Sequence, residues 1–374
     1  MYLVGKAGVS ALVLGLEDLR ATAATDVEKH LEEGAVGAIK PADLDGLLAA
    51  ALDDEADFAD IIGQEVVKRA LEIAVAGAHN VLMTGPPGAG KTMLARRLPG
   101  IMPPLTREEA LEITRVHSVA GLLPSGQPLV VRRPFRAPHH SISSPGLIGG
   151  GGTPRPGEVS LAHLGVLFLD EFPEYRLAAL EGLRQPLEDG EVTISRRLTS
   201  VTFPARLMLV AAMNPCPCGF RGDRERECVC SGHRLQQYRS RLSGPLLDRI
   251  DLRLDVPRVP PGARRERRPS EASAAIRARV GLARDRQVRR LAGTGVYANA
   301  HMNARQLRTS CRLDPAAAAL LDQAYDRMRL SARAADRVVK VARTIADLDG
   351  SDVIAVQHIG ESLSYRDRRG EPGA

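Results

Sequence analysis

The chain has no tryptophan, and aromatic residues make up 3% of its 374 residues. Its core must therefore be aliphatic, and a surface that stacks many nucleobases on aromatic platforms is excluded. No apolar run approaches the ~20 residues that a helical membrane span requires. Residues 1–10 carry neither a basic stretch nor a long apolar one, so no secretory signal is expected, and the cytoplasm is the expected compartment. Cysteine is scarce too, at five residues, and a disulfide framework is not expected in a cytosolic chain.

What is present is ample aliphatic material, 44% apolar, in a length that suits two or three modest domains. The net charge of +6 is unevenly spread: residues 1–60 hold 4 basic and 13 acidic side chains, and residues 258–374 hold 23 and 13. A basic rear suits either a polyanionic partner or a solvated, arginine-rich helical surface. Residues 1–57 read as a short acidic helical segment, with Leu and Ala at mixed spacing. An α/β unit is expected over 58–257, with a cysteine-rich insert at 214–233, followed by a Pro/Gly/Arg-rich linker at 258–270. An all-α lid follows over 271–366, and a frayed tail over 367–374. Inside 58–257 the pattern predicts a helix at 65–76, a strand at 80–83, a helix at 92–98, a strand at 166–169, a helix at 177–187, a hairpin and a strand at 207–212. Short continuous apolar runs between helices are the signature of a parallel sheet covered on both faces.

The segment Gly85-Pro86-Pro87-Gly88-Ala89-Gly90-Lys91-Thr92 satisfies G-x-x-x-x-G-K-[ST] at every fixed position. It follows an expected strand and opens an expected helix, so its N–H groups and the helix dipole face a phosphate chain. Lys91 would reach the β- and γ-phosphates of ATP, and the Thr92 hydroxyl would take a Mg²⁺ position. A second apolar run, Val166-Leu167-Phe168-Leu169, ends abruptly in Asp170-Glu171. Asp170 suits the Mg²⁺ water shell, and Glu171 suits polarisation of the attacking water. The run at 207–212 ends in Met213-Asn214-Pro215, so Asn214 is expected to hold that water from the other side, although Asn-Pro is also a common turn. Arg249, beside Asp248, reads either as an ordinary ion-pair partner of Asp248 or as an arginine that completes a neighbouring subunit's site.

The string Arg133-Pro134-Phe135-Arg136-Ala137-Pro138-His139-His140 and the string Asn214-Pro215-Cys216-Pro217-Cys218-Gly219 are more specific than the phosphate loop. With Asp60-Ile61-Ile62-Gly63-Gln64-Glu65, the segment 156–163, the run 246–251 and the helical stretch 331–348, they make the chain resemble the magnesium-chelatase-like AAA+ ATPases. The resemblance is greatest to the YifB/ComM subfamily and covers about 58–366. It implies a P-loop NTPase core with β-hairpin inserts and an all-α lid, assembled as a homo-hexamer with ATP between subunits. It also implies that Asn214 is the sensor-1 residue, that Arg249 is the arginine finger, and that Arg337, favoured over Arg333, is the lid's sensor-2 arginine. The ComM branch is associated with ATP-driven branch migration of DNA, so an ATPase acting on single-stranded or branched DNA is the expected function. A metal-insertion motor like the magnesium-chelatase I subunit and a truncated nucleotide-binding remnant are the alternatives. Family members usually carry an amino-terminal Lon-protease-like domain, and residues 1–57 are expected to be a remnant of it.

Three further features bear on partners. Residues 191–203 alternate polar and β-branched side chains around Arg196 and Arg197, which predicts a hairpin whose basic tip either meets DNA phosphates in a ring channel or stays solvated. Residues 132–152 form a Pro/Gly-rich loop with His139 and His140, a poor metal pair because neighbours point apart and no carboxylate is close in sequence. Cys216, Cys218, Cys228 and Cys230 form two Cys-x-Cys pairs, tighter than the usual zinc spacing; Zn²⁺ bound by four thiolates is the favoured reading, His233 is a reserve ligand, and unligated thiols are the alternative. Cys311 is expected to be a buried apolar filler.

Overall fold

The computed structural model describes residues 2–3, 10–14, 19–23, 46, 56–123, 129–151, 154–196, 199–223, 225–260, 262 and 270–366. Most of the expected linker and all of the expected tail lie outside these, as does most of the amino-terminal segment. Over residues 2–23 the described parts of that segment are strands rather than helix, whereas Gly46 is helical. Strands β1 (Tyr2–Leu3), β2 (Ser10–Leu14) and β3 (Leu19–Ala23) pair antiparallel, with Leu12 opposite Ala21 and Tyr2 opposite Val13. This corrects the helical expectation: five-residue apolar runs carry too little periodicity to separate helix from strand.

The core over 58–257 is built on a five-stranded parallel sheet. Its strands are β4 (Val81–Thr84), β5 (Phe135–Arg136), β8 (Val166–Leu169), β11 (Met208–Met213) and β12 (Leu252–Asp255), in the spatial order β12-β4-β11-β8-β5. Two small antiparallel ladders flank it: β6 (Gly149–Gly150) with β7 (Arg155–Pro156), and the hairpin β9 (Glu191–Arg196) with β10 (Thr199–Pro204). Alternate residues of the central strands go to opposite faces, as the pleat dictates. Val81, Met83, Val166, Phe168 and Val210 join one apolar cluster with Phe58, Ile73 and Leu94; Leu82, Leu167, Leu209 and Ala211 join another with Leu180, Phe203 and Ile250. Both faces are therefore sealed, which accounts for the unbroken apolar runs in the sequence.

Local chemistry sets the element boundaries. The expected helix at 177–187 divides into Leu177–Gly182 and Pro186–Asp189, because Pro186 has no N–H to continue the ladder. The helix Arg107–Val119 starts at a complete capping box between Thr106 and Glu109. Four main lid helices, Ser273–Arg290, Pro315–Arg327, Ala332–Leu348 and Val356–Ser364, enclose a third cluster that includes Cys311, which is buried as expected. Leu282 faces outward from its helix, at 66% exposed.

The lid is fused to the sheet unit rather than appended to it. Ile276, Val280, Val341 and Ile345 belong to the same apolar cluster as β4 and the helix Glu65–Gly77. That helix ends against the lid, where Arg284 and Gln287 donate to the carbonyls of Val75 and Ala76, at 2.9 Å each. The last-turn carbonyls that a helix leaves unpaired are thus satisfied across the seam.

Asn80, just before β4, fixes the amino-terminal ends of three strands. Its Nδ2 donates to the Arg249 carbonyl at 3.0 Å, its Oδ1 accepts from Leu209 N at 2.8 Å, and its N–H donates to Asp251 Oδ2 at 2.8 Å. Burial acts to raise the Asp251 pKa, but Arg337, His79 and the Asn80 N–H outweigh it and hold the carboxyl well below the usual range. Asn80→Ala would leave the buried Leu209 N–H unpaired, at ~1–3 kcal/mol, and take from the Arg249 carbonyl one of its two donors, Arg337 being the other, at about 1 kcal/mol. Urea denaturation is expected to show a loss of about 2–4 kcal/mol, and a loss under about 0.5 kcal/mol would refute this role.

Candidate active site

In a parallel sheet all carboxyl ends lie at one edge, and here they gather the expected chemistry. β4 leads into Gly85, β11 into Asn214 and β8 into Asp170, and β11 lies between the other two. Thr84 pairs with Met213, and Leu169 with Ala211, so the three strands finish nearly level. A cavity of about 420 Å³ opens at this edge, lined by the loop 87–93, Asp170, Glu171, Met213 and Asn214.

Gly85 is required by its surroundings, since a Cβ there would sit 2.2 Å from the Val256 carbonyl oxygen. Gly90 precedes the helix Lys91–Arg96 at φ 92°, a left-handed value that costs other residues energy. Lys91 Nζ donates to the carbonyl oxygens of Gly85 at 2.6 Å and Pro86 at 3.1 Å, and to Asn214 Oδ1 at 3.2 Å. Burial pushes its ammonium below the ordinary lysine range, with Asp170 partly offsetting that. Thr92 Oγ1 donates to Asp170 Oδ2 at 2.7 Å, which brings two hard oxygen donors together next to the lysine. That donor set suits Mg²⁺, which prefers oxygen ligands and few of them from protein.

Glu171 adopts φ 52°, a left-handed conformation that is rare outside glycine and is often kept where function demands it. Its Oε2 lies 2.9 Å from His140 Nδ1. The sequence reading of the two histidines is corrected here. Their rings do not point apart but lie 4.1 Å centroid to centroid, and a carboxylate, Glu171, is close in space although 31 positions away in the chain. Tyr175 supports the same loop, its hydroxyl donating to the Pro138 carbonyl at 2.5 Å. Tyr238, also missed in the sequence, donates to the Asn214 carbonyl at 3.2 Å. Neither contact has a local sequence signal, because both close over long chain separations.

The expected arginines do not converge on Lys91 within one chain. Arg249 and Arg337 lie at the amino-terminal edge of the sheet, opposite the phosphate loop: Arg337 Nη1 donates to Asp251 Oδ1 at 2.7 Å and to the Arg249 carbonyl at 3.2 Å. Arg249 is nearly buried, and its ion-pair partner is Glu188, not Asp248; Glu188 also takes Arg333 at 3.1 Å. Burial, foremost, and repulsion from Arg333, Arg184 and Arg337 lower the Arg249 pKa. The hairpin arms are present, but Arg197 lies outside the described residues.

The four cysteines of the insert do come together, with all ligand atoms within 4.8 Å of one another. Burial pushes the Cys216 thiol up to about 12, whereas N–H donation, from Phe220 foremost, draws Cys218 down to about 6. His233 is not in this group.

Titration with a fluorescent ATP analogue tests the site. Thr92→Ala and Asp170→Asn are each expected to weaken Mg²⁺-dependent nucleotide binding at least ~10-fold, with a smaller change in EDTA. Equal losses with and without the metal would separate this pair from Mg²⁺.

A family model described as magnesium chelatase, subunit ChlI, matches residues 57–264, and one described as magnesium chelatase, subunit ChlI C-terminal, matches residues 270–366. The chain is 47% identical to YifB of Escherichia coli strain K12 and 48% identical to the competence protein ComM of Haemophilus influenzae, in each case over 83% of this chain and 60% of the relative. It thus spans about 60% of the length of these curated relatives. The magnesium-chelatase 67 kDa subunit of Heliobacterium mobile is 29% identical over 47% of this chain and 31% of that protein. With the sheet order, the phosphate loop and the helical lid all in agreement, the chain belongs to the magnesium-chelatase subunit ChlI family of AAA+ proteins, in the subfamily of YifB and ComM.

Proposed function

We propose that the chain is an ATP-hydrolysing AAA+ motor, working as a homo-hexameric ring on single-stranded or branched DNA. The convergence of Lys91, Thr92, Asp170, Glu171 and Asn214 on one cavity carries the ATPase reading. The loop N–H groups and Lys91 bind the β- and γ-phosphates. Thr92 and Asp170 offer oxygen donors to Mg²⁺, which supplies charge neutralisation on the phosphates. Asn214 orients a water in line with the γ-phosphorus, and Glu171 accepts its proton. As the new O–P bond forms, the bond to the bridging oxygen breaks and ADP leaves. His140 holds Glu171 in its unusual backbone conformation at the water's side.

The placement of the arginines supports assembly. Arg249, Arg333 and Arg337 cluster on the edge opposite the phosphate loop, so they can serve a nucleotide only if another subunit presents one. A head-to-tail interface meets that need, and closing it gives a ring. Support for DNA is the sequence pair Arg196-Arg197 at the expected tip of the hairpin, the basic rear of the chain at 258–374, and kinship with a protein named for competence. No helix among the described residues is long and apolar enough to cross a membrane, and the reading sets the motor in the cytoplasm, where ATP is available. The match to the magnesium-chelatase 67 kDa subunit favours a second reading, a metal-insertion motor with partner subunits, which copurification of a von Willebrand-type partner would support.

Two measurements test the proposal. Steady-state ATPase assays are expected to show stimulation by forked DNA and a loss of ~100-fold or more in Glu171→Gln with nucleotide binding retained. An assembled ring indifferent to DNA would exclude the translocase. Arg249→Ala is expected to lose ~1,000-fold in turnover. Mixing it with Glu171→Gln chains should restore part of that turnover, because the arginine and the glutamate of one site then come from different subunits. A monomer in ATP and Mg²⁺, with no rescue on mixing, would leave only a nucleotide-binding chain.

A further inference from the structure

The four cysteines flank the active site at both ends of their insert. Cys216 follows Asn214 by two residues, at the end of β11. Cys230 precedes the helix Gly232–Ser240, whose Tyr238 donates back to the Asn214 carbonyl. Between them the sulfurs of Cys216 and Cys218 are 3.3 Å apart, those of Cys218 and Cys228 3.7 Å, and those of Cys228 and Cys216 3.6 Å. None is in a disulfide. Four sulfurs on a tetrahedral Zn²⁺ at about 2.3 Å stand about 3.8 Å from one another, close to these separations. Thiols, as weak donors and acceptors, gain little from gathering at such distances, whereas thiolates around a cation gain a great deal. The N–H of Cys218 donates to Cys230 Sγ at 3.4 Å, the kind of backbone support that metal-bound sulfur attracts.

The insert also lies flush against the phosphate loop. A Cβ on Gly219 would meet Pro87 Cδ at 2.6 Å and Asn214 Cγ at 3.8 Å, so the turn after Cys218 touches both the loop and the sensor asparagine. Its far side is tied down, with Phe220 under the guanidinium groups of Arg226 and Arg258, and with Asp223 3.3 Å from Arg258, which follows β12.

The geometry points to a tetrathiolate zinc site at Cys216, Cys218, Cys228 and Cys230 that acts as a strut, holding Asn214 and Pro87 in the positions hydrolysis requires. None of the four cysteines lines the nucleotide cavity, so they are positioning residues. The strut role rests on the proposed ATPase reading, and the metal site itself does not.

The test begins with the purified full chain, prepared without chelator, by elemental analysis. About one zinc per chain is expected, and Co²⁺ substitution should give thiolate-to-metal charge-transfer absorption. Cys218→Ser and Cys230→Ser should lose the metal, and Cys311→Ser, in the lid, should keep it. Zinc removal by chelation should lower kcat ~10–100-fold with ATP affinity changed less than ~3-fold, and re-addition of zinc should restore it. The chelation and re-addition arm does not depend on the variants folding. A chain that is isolated without zinc and takes up none when zinc is added overturns the site, and zinc removal without effect on kcat overturns the strut. A zinc-loaded chain that turns over no ATP in any assembly state refutes the motor and leaves the metal site standing.

Discussion

The side chain of Asn80 bonds to the neighbours of β4 on both sides, and the geometry of the active site descends from that arrangement. Parallel strands whose amino ends are held in register, and whose lengths are nearly equal, must finish level at the other edge. The phosphate loop and Asn214 follow two of these strands directly, and Asp170 follows β8, which its own ladder keeps level with β11, so pairing at one edge of the sheet decides what meets at the other. This explains how residues 78 positions apart, Thr92 and Asp170, come within hydrogen-bond distance without contact between their flanking helices being needed.

The same sheet separates two chemistries. One edge carries the ammonium of Lys91 and the carboxylates of Asp170 and Glu171; the other carries Arg249, Arg333 and Arg337, balanced by Asp251 and Glu188. Asp251 is buried, and an unpaired carboxylate there would be costly, so Arg337 is held inward by the fold. Arg249 is held in a similar way by Glu188, an acid about half exposed. Because Glu188 is open to solvent, its pairing with Arg249 is more screened than the pairing of Arg337 with the buried Asp251.

Much of this was legible in the sequence, and the exceptions have physical causes. Lys91, Thr92 and Asp170 were readable because each sits in a short, ordered string at a strand end, where sequence position and spatial position coincide. The cysteines were readable because two tight pairs separated by a short loop can hardly avoid meeting. His140, Tyr238 and Glu188 were not, because each acts on a residue at least 24 positions away, through tertiary closure that leaves no local period. The amino-terminal strands were mistaken for helix because Leu, Ala and Val in short runs suit either state, and pairing, not propensity, settles the matter.

The seam between the lid and the helix Glu65–Gly77 bears on how such a subunit moves. Ile276, Val280, Val341 and Ile345 are buried there, and each would lose about 1.5–3 kcal/mol if a hinge exposed it to water. The carbonyls of Val75 and Ala76 would lose their donors in the same event. Flexing at that joint is therefore costly, and the lid moves with the sheet unit as one body. On the proposed reading, a shift at the phosphate loop would reach the far side of the lid undamped, with no joint in between to absorb it.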